Sequence, residues 1–257
     1  MKIASWNVNG IRALEKKGEL EKFLTMVDPD ILLMQETKAR ADQLSFGLTN
    51  HADYHQFYHA ARKAGYAGTA IWAKKVVNPE VDFSVGMDDF DDIEGRVVTL
   101  RSNGLTILGV YFPNGGKSSL AWQGKLEFYE IFHRHVKTLR EAGEKVIFAG
   151  DVNCCHQEID IARPKENDGK IGFHPDERSR ISAWVTDDWV DVWRRLNPER
   201  VDVYSWWSFR ARARERNIGW RIDYFFVDEE LLPRVRTLVY LAEQMGSDHC
   251  PVIMEIN

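Results

Sequence analysis

The sequence predicts a single domain of mixed α/β class over residues 1–257, with helices outside packed sheets. Strand-like segments outnumber helical ones along the chain. Two of them, 96–101 and 106–111, are joined by Ser102-Asn103-Gly104-Leu105, which is typical of a hairpin. Because a hairpin joins antiparallel strands, a purely parallel, doubly wound sheet is disfavoured. An amphipathic stretch at 119–141 predicts one long helix.

The first half of the chain is predicted to combine short strands with one amphipathic helix. A strand-like segment covers 2–8, and apolar residues at helical spacing follow within 20–27. Asp28-Pro29-Asp30 ends that helix. The remaining strand segments of this half are 31–34, 56–59, 69–74, 96–101 and 106–111.

The second half is predicted to contain two further helices and five strands. The helix at 119–141 precedes a buried strand at 145–149, and a loop rich in charge, Gly and Pro covers 154–175. Another helix begins near Asp176, and its expected apolar face consists of Ile181, Trp184 and Val185. The other strand segments are 204–207, 221–227, 235–241 and 252–256.

Composition narrows the class of protein. The chain has 257 residues, of which 44% are hydrophobic and 28% charged, so it can form a core, and disordered or collagen-like chains are excluded. No segment approaches the roughly 20 apolar residues of a membrane span, and no secretory leader is visible. The three cysteines fit free thiols in a reducing cytoplasm, where we expect the protein to reside. The net charge of −5 gives little support for a polyanionic partner.

Polar residues cluster where the predicted strands end. Any single cluster is explained most simply as a cap or a turn, but five of them in one chain indicate a site. They supply carboxylate, amide, phenol and imidazole groups, which suit magnesium and phosphate better than zinc or a thiol mechanism. The five clusters lie at 6–10, 35–38, 111–116, 150–153 and 246–249.

A set of short motifs in a fixed order resembles the exonuclease III group of abasic-site DNA endonucleases, within the endonuclease/exonuclease/phosphatase superfamily. The motifs run from residue 5 to residue 249, so the resemblance covers nearly the whole chain. They are Ser5-Trp6-Asn7-Val8-Asn9-Gly10-Ile11-Arg12, Met34-Gln35-Glu36-Thr37-Lys38, Gly65-Tyr66-Ala67-Gly68, Tyr111-Phe112-Pro113-Asn114, Gly150-Asp151-Val152-Asn153, Glu158-Ile159-Asp160, Gly172-Phe173, Gly219-Trp220-Arg221-Ile222-Asp223-Tyr224 and Gly246-Ser247-Asp248-His249.

The resemblance implies a fold and a cofactor. The fold is a four-layered, DNase I-like α/β sandwich, in which two packed, mostly antiparallel sheets are flanked by helices and the active site lies at one end. The cofactor is Mg²⁺, with Mn²⁺ as an alternative, and the choice between one ion and two stays open. The implied metal site draws on oxygen and nitrogen donors from Asn7, Glu36, Asp151, Asn153, Asp248 and His249.

The resemblance also implies catalytic roles for five residues. Asp151 would position or deprotonate the attacking water, and Asn153 would orient it. Tyr111 would contact the phosphate. His249 would stabilise charge on the phosphate, and Asp223 would hydrogen-bond His249.

An arginine- and aromatic-rich segment at 204–221 predicts a nucleic-acid surface. Four arginines lie within 209–216 and Arg221 follows, with tyrosine, tryptophan and phenylalanine on either side. Arginine interleaved with aromatics suits a surface that follows phosphates and stacks on bases or sugars. The alternative is a solvated, arginine-rich turn.

The resemblance assigns DNA contacts to part of this segment. Residues 204–209 resemble the family loop that enters the minor groove, and Arg210 stands where some relatives carry an apolar wedge. Trp206, Trp220 and Ile222 resemble the walls of a pocket for a flipped-out abasic sugar. The other implied substrate contacts are Asn9 (Asp in some relatives), Arg12, Tyr66, Asn114, Lys117 and Asn167.

The activity implied by the resemblance is magnesium-dependent incision of double-stranded DNA on the 5′ side of an abasic site, by a monomer. Trimming of 3′-blocked ends and 3′→5′ exonuclease action are expected beside it. Two alternatives stay open: a superfamily enzyme acting on RNA, inositol phosphate or phospholipid, and a non-catalytic DNA-binding relative.

Overall fold

The computed structural model describes residues 1–88 and 90–257, and this part of the chain forms strands and helices in mixed order. The helices are α1 (Ile11–Lys16), α2 (Glu19–Val27), α3 (Phe46–Thr49), α4 (Ser119–Glu141), α5 (Pro164–Asn167), α6 (Pro175–Thr186) and α7 (Val192–Leu196). The strands are β1 (Lys2–Asn7), β2 (Ile31–Gln35), β3 (Tyr54–His59), β4 (Thr69–Lys74), β5 (Asp82–Val85), β6 (Val97–Ser102), β7 (Leu105–Tyr111), β8 (Val146–Asp151), β9 (Trp189–Asp191), β10 (Asp223–Asp228), β11 (Val235–Tyr240) and β12 (Val252–Ile256).

These strands form two six-stranded sheets. The first has the order β11-β12-β1-β2-β4-β3 and the second β5-β6-β7-β8-β10-β9. Each sheet has one parallel pairing, β1 with β2 and β7 with β8. The other pairings between the described strands are antiparallel, so the predicted mostly antiparallel architecture is confirmed.

The alternation of side chains along each strand builds the layers. In β2, Ile31 and Leu33 face the core between the two sheets, whereas Leu32 and Met34 face the helices on the outside. In β10, Phe225 faces the inner core and its neighbour Phe226 faces outwards. Both faces of the central strands are therefore buried, which explains their continuous apolar runs.

Helices cover the outer face of each sheet. Phe23 of α2 lies against Trp6 of β1, with ring centroids 5.1 Å apart. On the other sheet, Phe132 of α4 and Trp184 of α6 pack on Phe148 of β8, at centroid distances of 5.2 and 5.7 Å. Two helical layers and two sheets give the four-layered sandwich, so the predicted fold class is confirmed.

Two local predictions are wrong. Residues 204–207 are not a strand: Trp206 makes only isolated bridges, to Trp220 and to His249. Val185 does not belong to the apolar face of α6, since 45% of its surface is exposed. The buried side of that helix follows Glu177, Ile181 and Trp184 at spacings of four and three residues. Val185 lies about 100° further round the helix than Trp184.

Within residues 1–88 and 90–257, none of the helices combines the length and the apolar character that crossing a membrane requires.

Candidate active site

The polar clusters meet because the strands that carry them end at the same edge. Asn7 at the end of β1 pairs with Gln35 at the end of β2. In the other sheet, Asp151 ends β8 and pairs with Tyr111 at the end of β7 and with Asp223 at the start of the antiparallel strand β10. His249 precedes β12, which runs antiparallel to β1. Residues from both ends of the chain therefore reach one site.

Three side chains at this edge form a candidate metal centre. Glu36, Asp151 and His249 each present a ligand atom, and these atoms lie within 4.8 Å of one another. Two carboxylates and an imidazole fit a divalent cation with a preference for oxygen ligands. The amide nitrogen of Asn7 donates to Glu36 Oε1 at 3.0 Å and to Asp151 Oδ2 at 2.9 Å, which holds the two carboxylates together.

The backbone turns sharply after β2 to place Glu36. Both Glu36 and Lys38 have positive φ, at 52° and 51°. Lys38 Nζ lies 2.6 Å from Glu36 Oε2 and also donates to Asn9 Oδ1. Burial alone would raise the pKa of Glu36, but hydrogen bonds from Asn7 and Lys38 lower it below its ordinary value. Lys38 stands in the same motif as Glu36, and the residue pattern predicts no separate role for it.

The Asp151 carboxylate is buried and held on both oxygens. Oδ1 accepts the backbone N–H of Asn153 at 2.8 Å, and Oδ2 accepts the Asn7 amide. Burial raises the pKa of Asp151, the imidazolium of His249 opposes the rise, and the nearby Asp223 and Glu36 carboxylates add to it. The result is a pKa of about 7, which suits a group that takes up a proton near neutral pH.

His249 is paired with Asp223 on one side and faces Asp151 on the other. Its Nδ1 lies 2.8 Å from Asp223 Oδ2, and its Nε2 lies 3.8 Å from Asp151 Oδ2. Burial alone would lower the pKa of His249, but the carboxylates of Asp223 and Asp151 raise it to about 10. The imidazole is therefore positively charged at neutral pH.

Tyr111 is held in place by Arg96, a residue with no predicted role in the site. The guanidinium of Arg96 lies 4.8 Å from the centre of the Tyr111 ring, and its Nη1 donates to the Tyr111 carbonyl at 2.9 Å. Burial, together with the carboxylates of Glu36 and Asp151, raises the pKa of Tyr111 well above its ordinary value. The phenol therefore keeps its proton and can donate a hydrogen bond.

Asn153 and Asn114 form the side of the site next to Tyr111. Asn153 has φ of 57°, and its Nδ2 donates to the Phe112 carbonyl at 2.9 Å and to Asp151 Oδ2 at 3.3 Å. Its Oδ1 accepts from Asn114 Nδ2 at 3.2 Å. These bonds connect the loop after β7 to the loop after β8.

Asp248 lies between the Glu36–Asp151–His249 group and Trp206. Its Oδ1 accepts from Asn9 Nδ2 at 2.8 Å, and its Oδ2 accepts from the indole N–H of Trp206 at 3.0 Å. It is predicted as a metal ligand, but the structure places it against these two donors, outside the group formed by Glu36, Asp151 and His249.

An aromatic cluster adjoins Asp248. Trp206 and Trp220 meet edge to face with ring centroids 5.5 Å apart, and both pack on a buried cluster that contains Ile222 and Phe173. Gly172 packs directly against this cluster: a Cβ there would lie 2.3 Å from a ring carbon of Trp220. The three predicted pocket residues are therefore brought together.

The remaining predicted DNA contacts lie outside this cluster. Arg12, Tyr66, Lys117 and Arg210 are exposed, on α1, two loops and a short 3₁₀ turn. Asn167 ends α5, and its amide donates to the carbonyls of the preceding turn.

The arginine-rich segment is only partly a free surface. Arg221, counted among its cations, is fully buried and paired with Asp160 and Asp191, so that part of the prediction is wrong. Arg214 stacks on Trp207 at 4.7 Å and donates to the carbonyls of 242, 244 and 247. Arg210, Arg212 and Arg216 are exposed.

The fold and this centre together define the DNase I-like class of phosphodiester hydrolases. Residues 4–249 match the family model described as endonuclease/exonuclease/phosphatase family, and the chain belongs to this family. It is 39% identical to the exodeoxyribonuclease of Bacillus subtilis, with 100% of both chains covered. It is 35% identical to the DNA repair nuclease APEX1 of Danio rerio, covering 99% of this chain and 81% of that one.

A solved structure supports membership of the same family. The AP endonuclease LMAP of Leishmania major superposes with a TM-score of 0.89 at 30% identity, covering 98% of this chain and 86% of that one. The resemblance to the exonuclease III group is therefore confirmed, and the chain is a phosphodiester hydrolase.

Proposed function

We propose that the protein is a magnesium-dependent DNA repair phosphodiesterase that cuts the strand on the 5′ side of an abasic site. The products are a 3′-hydroxyl and a 5′-deoxyribose phosphate, and the same centre trims 3′-blocked ends and removes nucleotides from 3′ ends. The observation that carries this proposal is the position of the Glu36–Asp151–His249 group beside the Trp206–Trp220 cluster.

Glu36 and Asp151, with Asn7 beside them, would hold the cation. His249 would not bind it, because its imidazole is protonated at neutral pH and has no free lone pair. Mg²⁺ is the ion that this oxygen-rich set suits best, and Mn²⁺ is the alternative. The cation would supply positive charge that offsets the negative charge of the phosphodiester.

The chain's own residues supply the rest of the mechanism. Asp151 Oδ2, the oxygen that faces His249, takes the proton of the attacking water. Asn153 fixes that carboxylate through its backbone N–H and its amide. Charged His249 and the neutral phenol of Tyr111 donate to the phosphate oxygens as negative charge builds up on them.

The aromatic pocket supports an abasic site as the substrate. Taking a nucleotide out of the duplex costs a few kcal/mol, and the cost is least where no base is stacked. An apolar pocket of two tryptophans and Ile222 suits a bare sugar better than the charged ring of an inositol phosphate. The exposed Arg210, Arg212 and Arg216 suit the phosphates of a duplex.

The protein acts as a monomer and as one catalytic domain over residues 1–257. Asn7 and His249 come from opposite ends of the chain and share one site, so a single chain supplies all of its groups. The cysteines Cys154, Cys155 and Cys250 are free and buried, which suits the reducing cytoplasm, where the chromosomal DNA lies.

A comparison of substrates tests this function. The protein is incubated with Mg²⁺ and a duplex that carries one tetrahydrofuran abasic analogue, and in parallel with the intact duplex, a single-stranded RNA and an inositol phosphate. The abasic duplex is expected to be cut at least 100-fold faster than the others. Faster hydrolysis of RNA or inositol phosphate would transfer the protein to that branch of the superfamily. Lesion binding without cutting would make it a non-catalytic relative.

A further inference from the structure

A fully buried ion pair lies beneath Asn114 and Asn153, on the side of the site next to Tyr111. Lys125 of α4 and Glu177 of α6 contact each other through Nζ and Oε1, and both side chains have 0% exposure. Lys125 stands on the apolar face of α4, in line with Phe128, Tyr129 and Phe132. A charge at such a position is costly unless it is paired and hydrogen-bonded.

Each member of the pair also binds the backbone of an active-site segment. Lys125 Nζ donates to the Asn153 carbonyl at 2.8 Å and to the Asn114 carbonyl at 3.2 Å. Glu177 Oε2 accepts the N–H of Gly172 at 2.8 Å and of His174 at 3.1 Å. Gly172 in turn lies against Trp220. The pair thus connects the loops that carry Asn114 and Asn153 with Gly172, which packs against the aromatic cluster.

Helix stability explains the backbone contacts of Glu177 but not the buried position of Lys125. Glu177 is the third residue of α6 and forms a capping box with His174, so its bonds to the backbone would be useful in any helix. The lysine has no such role, because it lies in the interior of α4. Buried ion pairs can often be replaced by apolar residues without loss of stability, so the ion pair with Glu177 is not in itself required for folding.

We propose that Lys125 is a positioning residue for hydrolysis, and that Glu177 is the counter-charge that holds it in place. By binding both carbonyls at once, Lys125 sets the distance between Asn114 and Asn153, and therefore the position of the phosphate relative to Asp151. This inference rests on the proposed function for its substrate. It concerns the phosphate side of the site, so it applies to any phosphodiester cut there.

The double substitution Lys125→Met/Glu177→Gln tests the proposal. It removes both charges together, it keeps an acceptor for the Gly172 and His174 amides, and it deletes the bonds to Asn114 and Asn153. The variant is expected to fold but to melt about 5–10 °C below the wild type, because the buried Asn153 carbonyl loses its donor. Its single-turnover rate on the tetrahydrofuran duplex should fall 10- to 100-fold, since a displacement of about 1 Å can cost 100-fold in rate. The Kd for that duplex in EDTA should change less than about threefold, because the aromatic pocket is intact.

A matched control separates positioning from helix packing. Arg180 of α6 and Glu130 of α4 join the same two helices at the surface, 2.8 Å apart. Arg180→Met/Glu130→Gln should therefore leave the rate unchanged. A rate for Lys125→Met/Glu177→Gln within twofold of the wild type would overturn the proposal, as would an equal loss in the control.

Two further measurements test Lys125 if the double variant does not fold or if the protein does not cut the abasic duplex. Glu177→Gln alone removes the counter-charge that holds Lys125, so its single-turnover rate should fall in the same direction as that of the double variant, by about threefold or more. A folded Glu177→Gln protein with a rate within twofold of the wild type would contradict the proposal even if the double variant does not fold. Hydrolysis of bis-p-nitrophenyl phosphate is followed in parallel. If the wild type hydrolyses this diester but does not cut the abasic duplex, the proposed function fails, and the same ratio between variant and wild type still tests Lys125.

Discussion

At the residue scale, the surroundings of Asp151 and His249 give these two side chains different pKa values. Asp151 and His249 face each other at 3.8 Å, yet burial and carboxylate neighbours bring the pKa of Asp151 to about 7 and that of His249 to about 10. One group can therefore accept a proton near neutral pH while the other stays charged. Such a separation of pKa values assigns the acid and base roles.

Asp151→Asn should abolish most turnover and leave binding intact. The amide keeps the shape of the side chain but cannot take a proton, so the single-turnover rate should fall by about 10²- to 10⁴-fold. The Kd for the abasic duplex, measured in EDTA, should stay within about threefold or tighten, since a negative charge next to the phosphate is removed. Asp91→Asn, at an exposed aspartate, serves as the control. A rate near that of the wild type would remove Asp151 from its role.

Gly172→Ala should weaken recognition of the lesion more than hydrolysis itself. Gly172 has φ of 89°, and an added Cβ would lie 2.3 Å from Trp220, so the ring must move. We expect the Kd for the abasic duplex to rise about tenfold, while hydrolysis of bis-p-nitrophenyl phosphate changes less than twofold. Gly143→Ala, also at positive φ but with open space around it, is the control for backbone strain. Equal losses on both substrates would show that the pocket does not select the lesion.

Some roles at this scale could be inferred from residue types and others could not. Glu36 follows β2, Asp151 is the last residue of β8 and His249 lies shortly before β12, so the ends of the strands predicted their meeting. Lys38, Arg96 and Lys125 act on neighbours whose positions depend on how the loops turn. Of these three residues, only Lys125 could be identified from the sequence, because a lysine in line with Phe128 and Phe132 interrupts an apolar helix face.

At the scale of elements, a buried network fixes the base of the aromatic pocket. The Arg221 guanidinium binds Asp160 at 2.8 Å and Asp191 at 2.7 Å, and Arg194 of α7 binds the same Asp160 oxygen. Arg221 lies between Trp220 and Ile222 in the chain. The network therefore holds two walls of the pocket to β9 and α7.

Asp160 should make stability depend on pH. Burial alone would raise the pKa of Asp160, but Arg221 and Arg194 lower it below its ordinary value. A lowered pKa in the folded state gives stabilisation that is present above about pH 4 and is lost as the pH falls through the folded-state pKa. Asp160→Asn should cost about 3–5 kcal/mol of unfolding free energy at pH 7, with the difference narrowing below about pH 4. Urea unfolding at pH 7, 5 and 3.5 measures this. Asp168→Asn, at an exposed site, is the control, and a difference that does not narrow in acid would contradict the assignment.

Arg210→Ala should act on DNA binding and product release. Arg210 is exposed in the turn after Phe209, so its loss leaves the catalytic group in place. We expect several-fold weaker binding of the abasic duplex and a salt dependence of log Kd that is smaller by about one phosphate contact. Arg236→Ala, an exposed arginine on β11, is the control. An unchanged Kd and salt slope would make Arg210 part of a merely solvated turn.

Periodicity predicted the long elements well and the short ones poorly. Helix α4 covers 119–141 as expected, because its apolar face repeats over six turns. The strand β9 has three residues and β5 has a mostly exposed pattern, so neither presents a recognisable period. The segment 204–207 has strand-like aromatics, yet it curves between Trp220 and His249 and forms only isolated bridges.

At the scale of the whole molecule, the two sheets bring distant parts of the chain to one edge. β1 and β12 are antiparallel neighbours, so Asn7 and His249 meet across 242 positions of sequence. The order of the motifs identified the family, but no spacing along the chain could give the 4.8 Å limit within which the ligand atoms lie. Distances of this kind depend on the register between strands, which follows from the packing of both faces.

The position and chemistry of the cut test the central claim most directly. An end-labelled duplex with one tetrahydrofuran residue is incubated with the protein and Mg²⁺, and the product is sized to the nucleotide and offered to a DNA polymerase. We expect one cut immediately 5′ to the lesion, a 3′-hydroxyl that the polymerase extends, and no cut in EDTA. A cut elsewhere, an end that cannot be extended, or equal cutting in EDTA would contradict the account.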